Sequence, residues 1–292
     1  VLLFVGTSII PTTAQNIEKA SLPISKGNWL YVGGSGPNNY TEIQTAINAA
    51  TTGDTVYVYN ESSPYYEHFN VNKAISVLGE NKNSTVIDGS GAGNVVTISA
   101  DGTTVKNFTI QNSGFIDSGI SIQSSDNNIS CNIIQKNNDG ISFGHQFNNI
   151  IFSNRIINNV NGIDFWDTQA GFNNNLILKN IIAHNNGIGI WDNDEDGGTI
   201  GTWNVIAHNE EFGLFKHYSG GIYYHNDFYF NYNDVRVDAN IHNSTWDDGA
   251  EGNYWADWES NPGYPSTYII KDDPDWALEI DHQRACQGLG PV

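Results

Sequence analysis

A short asparagine-bounded repeat is the feature that most constrains how this chain can fold. Six hexamers begin and end with Asn and enclose apolar residues, and their starts lie 22 to 26 residues apart, at Asn107, Asn132, Asn154, Asn180, Asn204 and Asn226. A second marker, Gly followed by Ile or Leu, alternates with the hexamers and begins at Gly119, Gly140, Gly162, Gly187 and Gly213. Two markers locked in phase at this period indicate one structural unit per repeat.

The period and the residue types of the repeat predict an all-β, parallel solenoid. A unit of this length is too short for a helical hairpin or a propeller blade. β-Branched residues alternate over short stretches, as at Ile120 and Ile122, which is typical of strands. Each repeat therefore predicts one coil of a β-helix, with the Asn residues at bends. Because coils lie about 4.8 Å apart, we expect the amides of Asn132, Asn154 and Asn180 to bond from coil to coil.

Residues 41–50 (TEIQTAINAA) form the best helical pattern of the chain, with Ile43, Ala46, Ile47 and Ala50 on one face. The end coil of a solenoid exposes its core and needs a cap. We therefore predict an N-terminal cap helix over 41–50 on a β-helix domain spanning 28–273, with residues 274–292 as an unassigned tail.

Charge and the N-terminal segment bear on partners and location. The chain has 12 Lys and Arg against 32 Asp and Glu, a formal net charge of -20, which excludes nucleic acid and anionic lipid as expected partners. The apolar start followed by small residues indicates that residues 1–14 are the remnant of a signal peptide, and no segment is long enough to span a bilayer. We therefore expect a secreted or cell-surface protein. Cys131 and Cys286 form either one long-loop disulfide or two free thiols.

Several segments carry a resemblance to a known fold. The runs 43–50 (IQTAINAA), 53–58 (GDTVYV), 66–67 (YE), 75–79 (ISVLG) and 86–89 (VIDG) resemble the cap and first coils of pectin-lyase-like right-handed parallel β-helices. The coils over 107–240 resemble the NosD-like branch, also called carbohydrate-binding and sugar-hydrolase (CASH) domains. The runs 246–249 (WDDG) and 252–258 (GNYWADW) resemble the end of such domains in archaeal surface proteins. The resemblance implies a single-stranded right-handed parallel β-helix, and it is weak for function because this fold hosts many activities.

Alignment of the coils on the Gly marker predicts a ligand-binding surface. Trp166 and Trp191 fall at equal positions, each followed by an Asp, at Asp167 and Asp192, and His145 shares the Asp column. Stacked indole rings beside carboxylates are typical of a sugar platform. The alternative is a Trp pair packed beneath a long turn, and alternation alone does not choose between them.

The acidic run after Trp191 predicts a possible metal site. Asp192, Asp194 and Asp196 precede Gly197 in the D-x-D-x-D-G form of a calcium loop. The twelfth position holds Trp203 instead of Glu, so the loop is not an EF-hand. A solvated acidic turn is the alternative, and calcium is expected only if the three carboxylates converge.

Candidate catalytic groups follow from the same columns. Asp167 and Asp192 could serve as the acid and base of glycoside hydrolysis, and Lys216 or His217 could abstract a sugar proton, as in a lyase. The combination of paired-Asp, Gly-His-Gly and Arg-Ile-Lys motifs of β-helical pectin hydrolases is absent from the sequence. We therefore expect a module that binds polysaccharide or surface glycan, or a structural one, with a polysaccharide lyase or glycoside hydrolase as the alternative.

A pair of histidines gives a third possibility. His184 and His208 occupy one position of consecutive Asn hexamers, so they are expected to be neighbours. The resemblance to NosD implies a copper-enzyme accessory protein, and imidazole is a suitable copper ligand. A His pair standing in an Asn-rich bend is the other interpretation, because two ligands make an incomplete metal site.

Overall fold

The fold is the expected parallel β-solenoid, of the right-handed type, with one short α-helix near its N-terminus. The computed structural model describes residues 27–166, 174–193, 198–217, 220–237, 244–256, 260, 268–269 and 280–281. The helix α1 spans Ile43–Ala49, and a 3₁₀ turn spans Asn60–Ser62.

The strands are short, mostly of three to five residues. In chain order they are β1 (Trp29–Val32), β2 (Thr55–Val58), β3 (Phe69–Val71), β4 (Ser76–Gly79), β5 (Val86–Asp88), β6 (Val96–Ile98), β7 (Thr104–Lys106), β8 (Thr109–Gln111), β9 (Ser118–Ile122), β10 (Asn128–Ser130), β11 (Ile133–Gln135), β12 (Asp139–Phe143), β13 (Ile150–Phe152), β14 (Arg155–Ile157), β15 (Asn161–Phe165), β16 (Leu176–Leu178), β17 (Ile181–Ala183), β18 (Ile190–Asp192), β19 (Ile200–Thr202), β20 (Val205–Ala207), β21 (Phe212–Lys216), β22 (Ile222–Tyr224), β23 (Asp227–Tyr229), β24 (Asn233–Val237), β25 (Tyr254–Trp255), β26 (Tyr268–Ile269) and β27 (Ile280–Asp281).

Three parallel sheets run along the solenoid axis, and a full coil adds one strand to each. Sheet A has nine strands in the order β1-β2-β4-β7-β10-β13-β16-β19-β22, sheet B has eight from β5 to β25, and sheet C has eight from β3 to β24. The antiparallel pair of β26 and β27 stands apart from these sheets. Every third strand therefore pairs with its copy one coil away, as the repeat requires.

The core fills the inside of the solenoid with stacked columns of like residues. Ile129, Ile151 and Ile177 pair in successive strands of sheet A, and all three are fully buried. Phe143 and Phe165 stack in sheet C with ring centroids 4.6 Å apart. Each such burial stabilises the fold by about 1.5–3 kcal/mol, which explains why the repeat keeps apolar residues at fixed offsets.

Asparagine ladders join the coils, as the hexamers predict. The backbone N–H of Asn132 donates to Oδ1 of Asn154 at 2.9 Å, and the N–H of Asn154 donates to Oδ1 of Asn180 at 2.9 Å. The line continues through three further residues, Asn204, Asn226 and Asn253. Two more lines run along the other bends, one through Asn137, Asn159, Asn185, Asn209 and Asn231, and one through Asn127, Asn149 and Asn175.

Two details of the bends go beyond what the hexamers predict. The left-handed conformation falls on the residue before the ladder position, as at Lys179 with φ 56 and Trp203 with φ 57. The hexamer that starts at Asn107 is also out of register by one residue, because Phe108 donates its N–H to Asn132. Asn107 itself takes the left-handed position, with φ 65.

The helix α1 caps the N-terminal coil and is slightly shorter than the expected 41–50. Its apolar face is buried through Ile43, Ala46 and Ile47. The next coil supplies both helix ends with partners. The Glu67 carboxylate accepts the N–H of Ile43 at 2.9 Å, and Lys73 Nζ donates to the carbonyls of Ile47, Asn48 and Ala50 at 3.1, 2.8 and 2.7 Å. These contacts satisfy orphan backbone groups and match the helix dipole.

Candidate surface on the outer face of sheet C

The register of sheet C corrects the expected alignment of the two tryptophans. Ile190 of β18 pairs with Ile163 and Leu214, so Trp191 pairs with Asp164 and not with Trp166. The reason is that the Gly-Ile marker occurs twice in the segment 187–190 (GIGI), and the second copy takes the paired position. A shift of two residues keeps the same side chains facing inward, so alternation alone does not reveal it.

With this register, one column of side chains crosses four strands on the outer face of sheet C. Asp164, Trp191, Phe215 and Arg236 pair in sequence along β15, β18, β21 and β24. The rings of Trp191 and Phe215 have centroids 5.8 Å apart. The guanidinium of Arg236 lies 5.2 Å from the centre of the Phe215 ring. The column thus passes from an acid through aromatic rings to a cation.

Trp166 lies on the same face, directly after β15 and two residues beyond Asp164. Its backbone N–H donates to the carbonyl of Phe143 at 3.2 Å, which places Trp166 beside Gly144 of the preceding coil. Its indole ring lies against that glycine, because a Cβ built at Gly144 would meet the ring at 3.2 Å. The side chain is 60% exposed. We call Asp164, Trp166, Trp191 and Phe215 the sheet C aromatic face.

Trp191 is less accessible than Trp166. Its side chain is half-buried. The indole N–H of Trp191 is buried and has no hydrogen-bond partner among the residues described. An unpaired buried donor costs about 1–3 kcal/mol.

The carboxylate of Asp164 has unusual electrostatics. Burial, and then the nearby Asp139, raise the pKa of Asp164 to about 7. Asp139 accepts bonds from Asn161 at 3.1 Å and Asn138 at 3.2 Å, and burial raises its pKa as well. Within the described part of the chain, no donor reaches the Asp164 carboxylate. The face therefore presents an acceptor that the protein itself leaves open.

Two expected site residues lie inside the solenoid instead of on its surface. Asp192 and Lys216 pair in sheet C and face inward, because each follows an inward aliphatic residue by two positions. Lys216 Nζ lies 3.0 Å from Asp192 Oδ2, and Tyr223 Oη donates to the same oxygen at 2.5 Å. All three side chains are fully buried. We call them the lumen triad.

The lumen triad places Asp192 and Lys216 away from the outer surface, where a ligand-binding or catalytic role was expected of them. The Asp192 carboxylate, expected as the first ligand of a calcium loop, lies instead 3.0 Å from Lys216 Nζ. Gly201 makes room for the triad, because a Cβ at that position would collide with the Tyr223 ring.

The remaining candidates are divided between the surface and the segments outside the described residues. His145 is exposed, and His217 is half-buried, with its ring centroid 6.1 Å from that of Phe215. Asp167, Asp194 and Asp196 lie outside the described residues. No cluster of three or more His, Cys, Asp or Glu side chains suited to a metal occurs in the part that is described.

The expected histidine neighbours are confirmed. The rings of His184 and His208 stack 4.8 Å apart with 2° between their planes, and Phe230 lies 5.4 Å beyond His208. Both histidines hold left-handed bend positions, with φ 55 and φ 53. In the described residues this pair has no third ligand of the kinds that hold copper, so the residues present do not fit a complete copper site.

Sequence reasoning missed Asp139, Asp164 and Phe215. Asp164 and Phe215 each sit in a strand between residues that face the core, and the signal was this out-facing position in β15 and β21; Asp139 is the buried first residue of β12. A correct register of β18 against β15 would have placed Asp164 beside Trp191.

The coils, the ladders and the cap define a right-handed parallel β-helix. The chain belongs to the NosD family: the sequence profile described as "Periplasmic copper-binding protein (NosD)" matches residues 47–260. No curated protein matches the sequence.

Solved structures share the fold at low sequence identity. An alginate lyase from Paenibacillus sp. str. FPU-7 superposes with a TM-score of 0.56 at 12% identity, covering 78% of this chain and 97% of that one. A pectin methylesterase from carrot gives a TM-score of 0.47 at 12% identity, covering 77% and 85%. The former similarity supports the architecture alone. Among the described helices, none has the length and apolar character to cross a membrane.

Proposed function

We propose that this protein is a carbohydrate-binding β-helix module that acts outside the cytoplasm and uses the sheet C aromatic face as its ligand surface. One observation carries the proposal: the half-buried Trp191 pairs with Asp164, and the exposed Trp166 lies two residues beyond Asp164 with its ring against Gly144. The periplasmic description of the family supports the location.

The chemistry of the face suits a sugar polymer. Indole rings present apolar surface to the C–H groups of a pyranose, and a carboxylate accepts hydrogen bonds from hydroxyls. Strands of sheet C repeat about every 4.8 Å along the axis, so side chains of four successive coils line one extended face that a polymer can follow.

A mutation separates this surface from the fold. Trp166→Ala should weaken glycan binding by about 1–3 kcal/mol, the value of burying an aromatic side chain. The melting temperature should stay within a few degrees because the ring is exposed. The measurement is calorimetric titration against a panel of polysaccharides.

The matched control is Trp203→Ala. Trp203 is also exposed, at 45%, but it lies on a bend between sheets A and B. We expect its loss to leave glycan affinity unchanged. Equal losses in the two variants, or unfolding of the Trp166 variant, would show that the face is not the ligand surface.

Glycoside hydrolysis is the second candidate, and one observation favours it. A carboxyl with a pKa of about 7, as for Asp164, can hold a proton near neutral pH as a general acid requires. A reducing-end assay on each polysaccharide that binds decides between the two. We expect no turnover, and turnover lost in Asp164→Asn would replace the binding proposal with catalysis.

A further inference from the structure

We propose that the sheet C aromatic face selects glycans that carry free primary amines, with Asp164 as the specificity-determining residue. The inference rests on the proposed carbohydrate-binding function and names the class of its ligand. An amino-sugar polymer combines the apolar ring faces that indoles stack on with an ammonium group that a carboxylate holds.

Asp164 lies near a second acid, Asp139, whose charge helps to raise its pKa. Asp139 and Asp164 stand on neighbouring coils, and each is buried enough to disfavour its charge. In the described part of the chain, no Lys or Arg forms an ion pair with Asp164. A ligand ammonium beside Asp164 would supply the missing opposite charge. A hydroxyl would supply only a neutral donor.

The same face already holds a cation over aromatic rings. The guanidinium of Arg236 lies 5.6 Å from the ring centre of Phe212 and 5.2 Å from that of Phe215. At the other end of the column, Trp191 pairs with Asp164. An ammonium there would meet a ring face and a carboxylate together, and this combination strengthens cation binding beyond either alone.

The charge of the whole chain also bears on the class of ligand. A net charge of -20 repels polyuronates and attracts cationic polymers. The long-range field therefore favours the same ligand class as the local site.

The test compares three hexasaccharides by calorimetric titration: β-1,4-linked glucosamine, its fully N-acetylated form, and the neutral glucose oligomer. We expect the glucosamine hexamer to bind at least tenfold more tightly than the other two. Asp164→Asn should remove that preference and leave the affinities for the acetylated and neutral oligomers within about threefold. Trp166→Ala should weaken binding of all three.

The matched control is Asp126→Asn, which removes one exposed acid from the bend between β9 and β10. It should keep the tenfold preference, which separates a local effect from net charge. Equal binding of the three oligomers, with a loss in Trp166→Ala, would overturn the amine selectivity and leave the proposed function intact. No binding of any oligomer, or binding indifferent to Trp166→Ala, would overturn both. A preference that persists in Asp164→Asn would also overturn the role of Asp164.

Discussion

Asp164 shows how the charge of a single residue can lower the stability of the fold at neutral pH. It faces outward from β15, yet burial and Asp139 raise its pKa to about 7 from a reference value of 3.8. An acid with a raised pKa in the folded state stabilises the fold at low pH, and this stability is lost as pH rises through the folded pKa. At neutral pH the charged carboxylate therefore lowers the stability of the fold.

The pH dependence of Asp164→Asn tests this cost. The variant should be more stable than the wild type at pH 8, and this advantage should disappear or reverse at pH 5. Between pH 5 and the folded pKa of about 7, the Asp164 carboxyl is protonated in the folded state and ionised in the unfolded state. Over these two pH units the free energy of unfolding of the wild type should fall by about 2–3 kcal/mol at most. Denaturant unfolding at pH 5, 6, 7 and 8 measures it, with Asp126→Asn as the control. A difference between variant and wild type that stays constant over this range would contradict the raised pKa.

Asn180 shows the opposite kind of residue, one kept for the fold. Its Nδ2 donates to the carbonyl of Ile151 at 2.8 Å, and its Oδ1 accepts from the N–H of Asn154. Asn180→Leu leaves these buried groups unpaired and should lower the free energy of unfolding by about 1–3 kcal/mol. Asn186→Leu, at an exposed asparagine on a neighbouring bend, is the control and should change stability little. Equal effects of the two substitutions in denaturant titrations would refute the ladder account.

At the scale of the elements, sheet C carries chemistry on both of its faces. Its outer face holds the aromatic column, and its inner face holds the Asp192–Lys216 pair that Tyr223 of sheet A joins across the lumen. The triad therefore ties β18, β21 and β22 together. It replaces the apolar stacking of earlier coils with a directional contact, which specifies one register for β18 where the sequence 187–190 offers two.

Removing one partner of the triad should be costly. Lys216→Met leaves the Asp192 carboxylate buried without its counter-ion, so the free energy of unfolding should fall by about 3–5 kcal/mol. Lys179→Met removes a charge at an exposed bend and should change stability by less than about 0.5 kcal/mol. Chemical denaturation of both variants is the measurement. A Lys216 variant as stable as its control would contradict the buried ion pair.

At the scale of the whole molecule, the repeat made the architecture predictable. A fixed period of alternating apolar residues allows few solutions besides stacked coils, so the solenoid, the ladder through Asn180 and the cap helix were predictable from sequence. The site was less so. A shift of two residues at Gly187 and Gly189 preserves the pattern of inward side chains, so the sequence did not reveal that Trp191 meets Asp164. Nor did it show that Asp192 and Lys216 face the lumen, because charged residues at strand ends ordinarily point to solvent.

The contacts that hold the solenoid together are separate from the sheet C aromatic face. The core columns and the lumen triad hold the strands in register from inside the solenoid, and the asparagine ladders hold them at the bends. The side chains of the sheet C aromatic face take no part in these contacts. Asp164 and Trp191 project from paired strands β15 and β18, and Trp166 directly follows β15, held to the preceding coil by its backbone N–H. Sites built on regular elements of this kind are better preorganised than sites on loops.

Binding of a glycan on the sheet C aromatic face can be followed at the residues themselves, through the response of the indole N–H signals to an oligosaccharide. A two-dimensional ¹H–¹⁵N spectrum resolves the tryptophans, and single Trp→Phe variants assign them. On titration with the hexasaccharide that binds most tightly, the account predicts that the signals of Trp166 and Trp191 shift in proportion to saturation, while those of Trp29 and Trp203, which are exposed elsewhere, do not. Shifts confined to Trp29 or Trp203, or saturable binding that leaves Trp166 and Trp191 unmoved, would contradict it.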